Sequence, residues 1–382
     1  MNGVDQRART EPEPMPRDQH DAEPMRAALA LARRGLGETW PNPAVGCVII
    51  NAGRVVGRAV TAPGGRPHAE VLALAMAGTA ARGATAYVTL EPCCHHGLTP
   101  PCTEALIEAG IARAVIAIRD PDSRVNGAGI ARLRAAGIAV TEGVLADEAA
   151  HATQGFLTRV RRKRPMVTLK LASTLDGRIA THAGESRWIT GEAARRAAHA
   201  LRGEHDAVLA GVGTLLADDP DLTCRLAGFK RTAGIRVIAD SHLRTPLTAR
   251  VLAHAASTTW LLHRDGADPD RRRAITALGA RLFEVPSSNA GIDLAVGLRA
   301  LAEAGINAVL VEGGAQIAAA LLREDLVDRL AWFHAPTVMG ADGWPAAQGF
   351  GVNRLGAMPR FVRERIRPLG EDVVSEFRRE RG

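Results

Sequence analysis

Four residues carry the chemistry most readily read from this sequence. His68 and Glu70 stand two apart in His68-Ala69-Glu70, and eight residues separate Cys93 from Cys102. One imidazole and two thiolates are natural zinc ligands, and three protein ligands leave a fourth position for water. Metal binding lowers the pKa of that water to about 7, giving a nucleophile at neutral pH. A regular helix aims Glu70 away from the direction of His68, so its carboxylate suits proton shuttling beside the metal better than ligation. Cys94, His95 and His96 occupy the same loop. Adjacent side chains diverge, so Cys94 does not easily share one metal with Cys93. His95 and His96 stay open as substrate contacts or solvated side chains. Taken singly, the four have a plainer reading, as buried thiols and a capping histidine; together they read as a hydrolytic metal site. Cys47, inside an apolar run, reads as core.

Three segments beyond residue 165 also suit ligand binding. LKLASTLDGRIA ends a strand in a polar turn and places Lys170, Ser173 and Asp176 where a ligand can meet them. GVGTLLADDPDLTCR follows a strand with small residues, then acids, then Arg225. VEGGAQIAAALL reads as strand, two glycines and helix, which aims backbone N–H groups and a helix dipole at an anion. It is not the G-x-G-x-x-G fingerprint, which argues against a Rossmann domain.

The elements that position these residues alternate between strand and helix. Met25 to Gly37 has helical spacing and a glycine stop. Ala44 to Val60 reads as a hairpin around Asn51-Ala52-Gly53. A helix is expected from His68, a strand at ATAYVTL, a helix from Cys102, a strand at RAVIAI, then ARLRAAG as helix and IAV as strand. Alternation resumes with strands at MVTLKLA, DAVLAG, IRVIAD, TTWLLH and NAVLVE, and with helices that include EAARRAAHALR and DLAVGLRALAEAG. Two layered α/β domains follow: residues 25–147 around the metal site and 166–382 beyond. A disordered lead-in, rich in proline and acids, is expected over 1–24. A polar, helix-flavoured linker is expected over 148–165, stopping at Pro165.

Composition narrows the classes. A hydrophobic fraction of 46% supports sizeable cores, and no apolar run is long enough to span a membrane. The lead-in lacks the apolar core of a signal peptide, so a cytoplasmic enzyme is expected. Five cysteines in so long a chain suggest a metal site or burial rather than a disulfide framework. The net charge of +7 comes almost wholly from arginine, with lysine at only 163, 170 and 230, and it forms no stripe. The basic run 161–164 reads as a solvated linker or helix end, and aromatic residues at 3% are thin for stacking bases. Neither a nucleic-acid nor a membrane partner is expected.

His-x-Glu with Pro-Cys resembles the zinc deaminase signature, although the usual second thiol lies closer. PNPAVGCVI, HAEVLAL and AYVTLEPCCHHGLTPPC together closely resemble the deaminase half of bacterial bifunctional riboflavin-biosynthesis deaminase/reductases. The eight-residue gap is that family's own variant, and serine commonly stands there where this chain has Cys94. LKLASTLDGRIA, GESRWIT, LADDPDLTCR, VIADS and VEGGAQIAAALL follow in the order of the family's reductase half.

The resemblance implies an N-terminal cytidine-deaminase-like three-layer α/β/α domain and a C-terminal dihydrofolate-reductase-like α/β domain. It implies that His68, Cys93 and Cys102 bind Zn2+, that Glu70 donates and accepts protons, and that Asn42 lines the base pocket. NADPH would be contacted by Ala172, Trp188, Thr214, Asp218, Ser241 and the segment Gly314, Ala315, Gln316, Ile317, Ala318, Ala319 and Ala320. Ser186, Arg202, Leu222, Arg225 and Glu312 would hold the substrate, with both arginines suited to a sugar phosphate. The implied reactions are hydrolytic deamination of a diaminopyrimidinone ribosylamine phosphate, then NADPH-dependent reduction of its ribosyl group to ribityl. Asp218 and Glu312 both stand as proton donors for the reduction. A homo-oligomer is also implied. Two rivals share the zinc logic: a tRNA adenosine deaminase with an unrelated second domain, and a scaffold with a structural zinc.

Overall fold

The computed structural model describes residues 17–229, 234–253, 258–288 and 291–380, with side chains from residue 20 onward. The expected lead-in therefore lies outside the described residues as far as residue 16. The chain divides into two compact units, one of Met1–Ala32, Val45–Val60 and Ala69–Ala150, the other of Arg33–Ala44, Thr61–His68 and His151–Gly382. Among the described residues no helix is long and apolar enough to cross a membrane.

The first unit is built on β1 (Gly46–Asn51), β2 (Arg54–Val60), β3 (Thr85–Val88), β4 (Arg113–Ile116) and β5 (Ala139–Glu142). They lie in the order β2-β1-β3-β4-β5, antiparallel across β2-β1-β3 and parallel across β3-β4-β5. The hairpin expected around residue 52 is there. Ala52 and Gly53 both take positive φ, as a two-residue turn matched to strand twist requires. Helix Arg17–Arg34 buries Met25, Ala28, Leu29 and Ala32, an i, i+3, i+4, i+7 face. It begins at Arg17 rather than Met25, so residues 17–24 are helix and not the disordered lead-in expected there. Asp21 accounts for the extension. It is buried, accepts both ends of the Arg113 fork at 2.9 and 2.6 Å, and accepts from the Tyr87 hydroxyl at 3.0 Å.

The strands of the second unit are, in chain order, β6 (Met166–Ser173), β7 (Arg178–Ala180), β8 (Ala207–Gly211), β9 (Ile235–Ala239), β10 (Thr259–Arg264), β11 (Arg281–Val285), β12 (Ser287–Ser288), β13 (Gly291–Ile292), β14 (Ala308–Glu312), β15 (Arg329–His334), β16 (Trp344–Pro345), β17 (Phe361–Leu369) and β18 (Asp372–Arg379). Nine form one sheet in the order β11-β10-β9-β8-β14-β6-β15-β18-β17. All pairings are parallel as far as β15; β18 and β17 then add antiparallel. The five strands expected from the sequence are present, and β11, β15, β17 and β18 join them. β14 is buried at every position, as a parallel strand covered on both faces should be. β17 is the reverse, an exposed edge strand with Arg363 and Arg365 facing solvent. Its charges blunt the edge and hide it from a search for apolar alternation.

Two helices, Ala146–Ala152 and Gln154–Arg162, occupy the expected linker. The basic run 161–164 is the end of the second helix, one of its two expected readings, but it is not wholly solvated. Arg164 is buried and grips Asp328 with both terminal nitrogens, at 2.6 and 2.9 Å. Asp328 also accepts from the Val167 N–H, so the run anchors the first strand of the large sheet.

Candidate active sites

His68 immediately precedes helix Ala69–Ala77, Cys93 lies in the loop after β3, and Cys102 opens helix Cys102–Glu108. One donor atom from each of the three lies within 4.8 Å of the others. Tetrahedral zinc sets ligand atoms about 3.5 Å apart, so an imidazole and two thiols at this spacing fit the ion. Glu70 lies in the first turn of helix Ala69–Ala77 and is buried. The Cys93 side chain, burial and Glu70 together push the Cys102 thiol up; a bound dication reverses that balance, since metal-bound thiols deprotonate.

The loop alternatives now separate. Cys94 points its thiol at the Arg124 carbonyl, 3.7 Å away, and is outside the ligand group. His96 is exposed, whereas His95 is half-buried with Nδ1 lacking a partner. Cys47 is fully buried, and burial followed by the charge of Glu70 raises its thiol. Asn42 does sit by the metal group: its Nδ2 donates to Gly65 O at 2.7 Å and lies 3.3 Å from His68 Nε2.

Sequence reasoning passed over Glu91. It is buried and accepts from the N–H groups of Asp120, Gly127 and Ile130, which ties residues 120–130 down beside the Cys93 loop. An acid directly before Pro92-Cys93 was the available signal. Asp120 is buried too; burial above all, with the charges of Asp122 and Glu91 adding, raises its carboxyl to about 6.

In the second unit the chain turns outward in opposite directions after β8 and after β14, which are neighbours. From β8 it continues to β9 on one side, and from β14 it crosses β6 to β15 on the other. Ligands of open α/β sheets bind at such a switch point, outside the carboxyl ends of the strands. Thr214 follows β8 and Gly313-Gly314 follow β14. Both glycines take positive φ, and a Cβ on Gly313 would meet Thr214 Oγ1 at 3.2 Å. Backbone lines this crevice where side chains would fill it, a shape that fits a dinucleotide phosphate.

Other expected residues cluster nearby. The Arg187 guanidinium donates to the Asp218 carbonyl at 2.8 Å and pairs with its carboxylate at 3.0 Å. The neighbouring Trp188 is 69% exposed, with the Arg195 guanidinium 4.7 Å from its ring centroid. Ala172 and Ser186 are half-buried. Ser241 follows β9 at the same end of the sheet.

Several expectations need correcting. Ala318, Ala319 and Ala320 are buried, and Ala318 and Ala320 pack in the main core. That helix is therefore open to its surroundings mainly in its first turn, where Gly314, Ala315 and Gln316 are not buried. Leu222 is buried in the opposite core layer, which leaves its backbone for contact. Ser173 accepts from the Trp332 indole and donates to Thr174 O. Asp176 accepts from the Met339 and Gly340 amides and is exposed.

Arg202 does not present its fork to a phosphate. Nε and Nη2 bind both oxygens of Glu312 at 2.6 and 2.7 Å, and Nη1 donates to Thr223 O. Burial works to raise the Glu312 carboxyl, but Arg202 and Lys170 outweigh it and hold it below the usual range. Arg225 is the exposed guanidinium, with Asp221 at 3.5 Å.

Comparison with known proteins matches these two halves. Residues 18–118 match the cytidine and deoxycytidylate deaminase zinc-binding region, and residues 165–375 match the RibD C-terminal domain. The riboflavin biosynthesis protein RibD of Bacillus amyloliquefaciens is 41% identical, covering 91% of this chain and 94% of that protein. A solved RibD structure from Acinetobacter baumannii superposes with a TM-score of 0.87 at 38% identity, covering 95% of this chain and all of the other. A Thermotoga maritima structure, described as a diaminohydroxyphosphoribosylaminopyrimidine deaminase/5-amino-6-(5-phosphoribosylamino)uracil reductase, has a TM-score of 0.82 at 35% identity over 95% of this chain and 99% of that one. Identity at this level along nearly the whole of both chains places this protein in the RibD family, with a cytidine-deaminase-like N-terminal fold and a dihydrofolate-reductase-like C-terminal fold.

Proposed function

We propose that this chain catalyses two successive steps of riboflavin biosynthesis, deaminating a diaminopyrimidinone ribosylamine phosphate and then reducing its ribosyl group to ribityl with NADPH. The observation that carries the reading is the meeting of His68, Cys93 and Cys102 beside buried Glu70, in a chain that aligns end to end with relatives of both activities. A tRNA deaminase with an unrelated second domain is disfavoured by that alignment. A structural zinc scaffold is disfavoured by a group of three ligands rather than four among the described residues.

His68, Cys93 and Cys102 hold zinc, which supplies the Lewis acidity that makes water nucleophilic near neutral pH. Asn42 orients the His68 ring. Glu70 takes one proton from the attacking water to the pyrimidine ring nitrogen, then carries the proton of the new hydroxyl to the amino group, so ammonia leaves and water's oxygen stays as the carbonyl.

In the second unit the cofactor supplies the hydride. Thr214, the Gly313-Gly314 backbone and the first turn of helix Ala315–Arg323 seat its phosphates, with Ala172, Trp188, Asp218 and Ser241 around them. Arg225 meets the substrate phosphate. Glu312, kept ionised by Arg202, accepts hydrogen bonds from sugar hydroxyls, which removes it as the proton donor for the reduction. The deaminase domain covers 25–147 together with the helical turns before it, and the reductase domain covers 166–382.

The test follows products by mass spectrometry after incubation with the diaminopyrimidinone, with and without NADPH. Loss of ammonia in both samples, and a gain of two hydrogens only with NADPH, is the expected outcome. Deamination without reduction overturns the reading of the second unit. No turnover with zinc bound overturns both.

A further inference from the structure

Asp240 and His263 are both fully buried and take no part in the sites above. They are neighbours by register. β9 and β10 run parallel with Ala239 opposite Leu262. One more bond keeps that register, the Asp240 N–H donating to Leu262 O; the Arg264 N–H then donates to Ser241 O, one residue further along, where the ladder ends. His263 thus faces Asp240 across the pair. Side chains alternate between faces with period two. Ile238 and Leu261, two positions earlier, lie in the core layer that includes Val212 and Leu215, so Asp240 and His263 project from that same face.

Each side chain is half satisfied. Asp240 Oδ2 accepts from the Thr245 N–H and hydroxyl, both at 2.7 Å, while Oδ1 meets no donor among the described residues. His263 Nδ1 lies 2.8 Å from Arg264 O. A carbonyl only accepts, so Nδ1 carries a proton, and in the neutral ring Nε2 presents a lone pair. Nε2 also has no partner among the described residues. Two buried acceptors cannot satisfy each other, and leaving both bare is costly. A single water, which donates twice, satisfies both.

We propose that one internal water bridges Asp240 Oδ1 and His263 Nε2, making the two residues a positioning pair for the turn 241–246. Asp240 fastens the far end of that turn through Thr245. Arg271 fastens its middle, donating to Leu243 O at 3.0 Å and to Thr245 O. The turn opens with Ser241, so the pair fixes where Ser241 stands at the carboxyl edge of the sheet. The last step rests on Ser241 contacting NADPH, as proposed above.

Two variants of the full-length protein test the pair. His263→Leu removes one acceptor and strands the other. Asp240→Asn keeps an oxygen for Thr245 and gives the bridging water an amide donor in place of Oδ1, so the water still donates to Nε2. Hydrogen exchange of peptides containing Thr245, measured without cofactor, should quicken about tenfold in His263→Leu, as loss of a buried hydrogen bond implies, and stay near wild type in Asp240→Asn. Equal exchange in all three proteins overturns the pair. A crystal structure should show one ordered water within hydrogen-bonding distance of both atoms; a dry gap or a direct Asp240–His263 contact overturns the bridge. The NADPH dissociation constant should rise in His263→Leu with deamination unchanged, and an unchanged constant overturns the positioning role. Failure of the wild type itself to bind NADPH sinks the cofactor reading instead, and the exchange and the water still decide the pair.

Discussion

At the metal group the chemistry is written in side chains: an imidazole, two thiols and a carboxylate, all supplied by short stretches around two helix starts. At the crevice of the large sheet it is written mostly in backbone, where β8 and β14 end side by side and Gly313-Gly314 leave room that a side chain would fill. Its charged residues are largely spoken for, Arg202 by Glu312 and Asp218 by Arg187. The first arrangement stakes function on atoms that must touch the reacting centre. The second stakes it on geometry held by buried pairs. Damage should accordingly abolish turnover without much loss of stability at the metal group, and should cost stability first at the crevice.

The sharpest test of that division is Glu70→Gln. The amide keeps the shape and leaves the three ligands intact, so zinc should remain at wild-type stoichiometry by atomic absorption. Deamination should fall by roughly 10²–10⁴, the usual share of a positioned proton carrier. Reduction of separately supplied aminouracil substrate should be unaffected. Cys102→Ser is the companion, expected to lose the metal and the deamination together. If Glu70→Gln loses zinc as well, Glu70 is a ligand and the division of labour is wrong.

Glu312→Ala makes the opposite prediction. Both partners of the pair are nearly buried, with 14% and 10% of the Arg202 and Glu312 side chains exposed. Removing one leaves a buried charge alone, which costs about 3–5 kcal/mol. All five tryptophans, at 40, 188, 260, 332 and 344, belong to the second unit, so urea unfolding followed by tryptophan emission reads this loss directly. Wild-type stability in the variant would show that the pair is not what holds the crevice.

Asp120 sharpens the contrast, because it is a buried acid without such a partner. Its carboxyl is raised to about 6 by burial, against about 3.9 in an unfolded chain. The folded state therefore holds the proton more tightly, so stability falls as pH rises from about 4 to 6 and the penalty stays in full above that. Asp120→Asn keeps an oxygen for the Asp122 N–H and removes the penalty, worth about 2–3 kcal/mol at most. Calorimetry at pH 4.5 and pH 8 should show the variant gaining about three times as much at the higher pH.

How much of this was legible follows from the same contrast. The metal group could be read because ligand types announce themselves, and their spacing survives in one dimension. Even so, motif position marks Asn42 and Glu91 without showing what they touch, which is His68 for one and residues 120–130 for the other. The central strands of the large sheet could be read from their apolar runs. β17 could not, because an edge strand studded with arginine carries no apolar alternation. Helix residues 17–24 looked like a disordered lead-in because Asp21 is an acid among acids, and only Arg113 and Tyr87 show that it is buried. Arg202 looked like a phosphate ligand for a similar reason. A guanidinium advertises anion binding, and the sequence does not say that the anion is Glu312.

Trp188 is where the two sorts of site can be told apart most finely. As a core aromatic its loss would cost about 3–5 kcal/mol. With 69% of it exposed and Arg195 stacked 4.7 Å from the ring, truncation forfeits little more than an exposed cation–π contact, about 0.5–1 kcal/mol. Trp188→Ala should therefore unfold within about 1 kcal/mol of wild type in urea. If its face meets the nicotinamide nucleotide, the NADPH dissociation constant should rise about tenfold, inside the 1–3 kcal/mol that base stacking on an aromatic ring contributes. Fluorescence titration measures it, with deamination as the unchanged control. A variant that binds NADPH as the wild type does would leave Trp188 outside the crevice, and the cofactor would then be held by backbone and helix terminus alone.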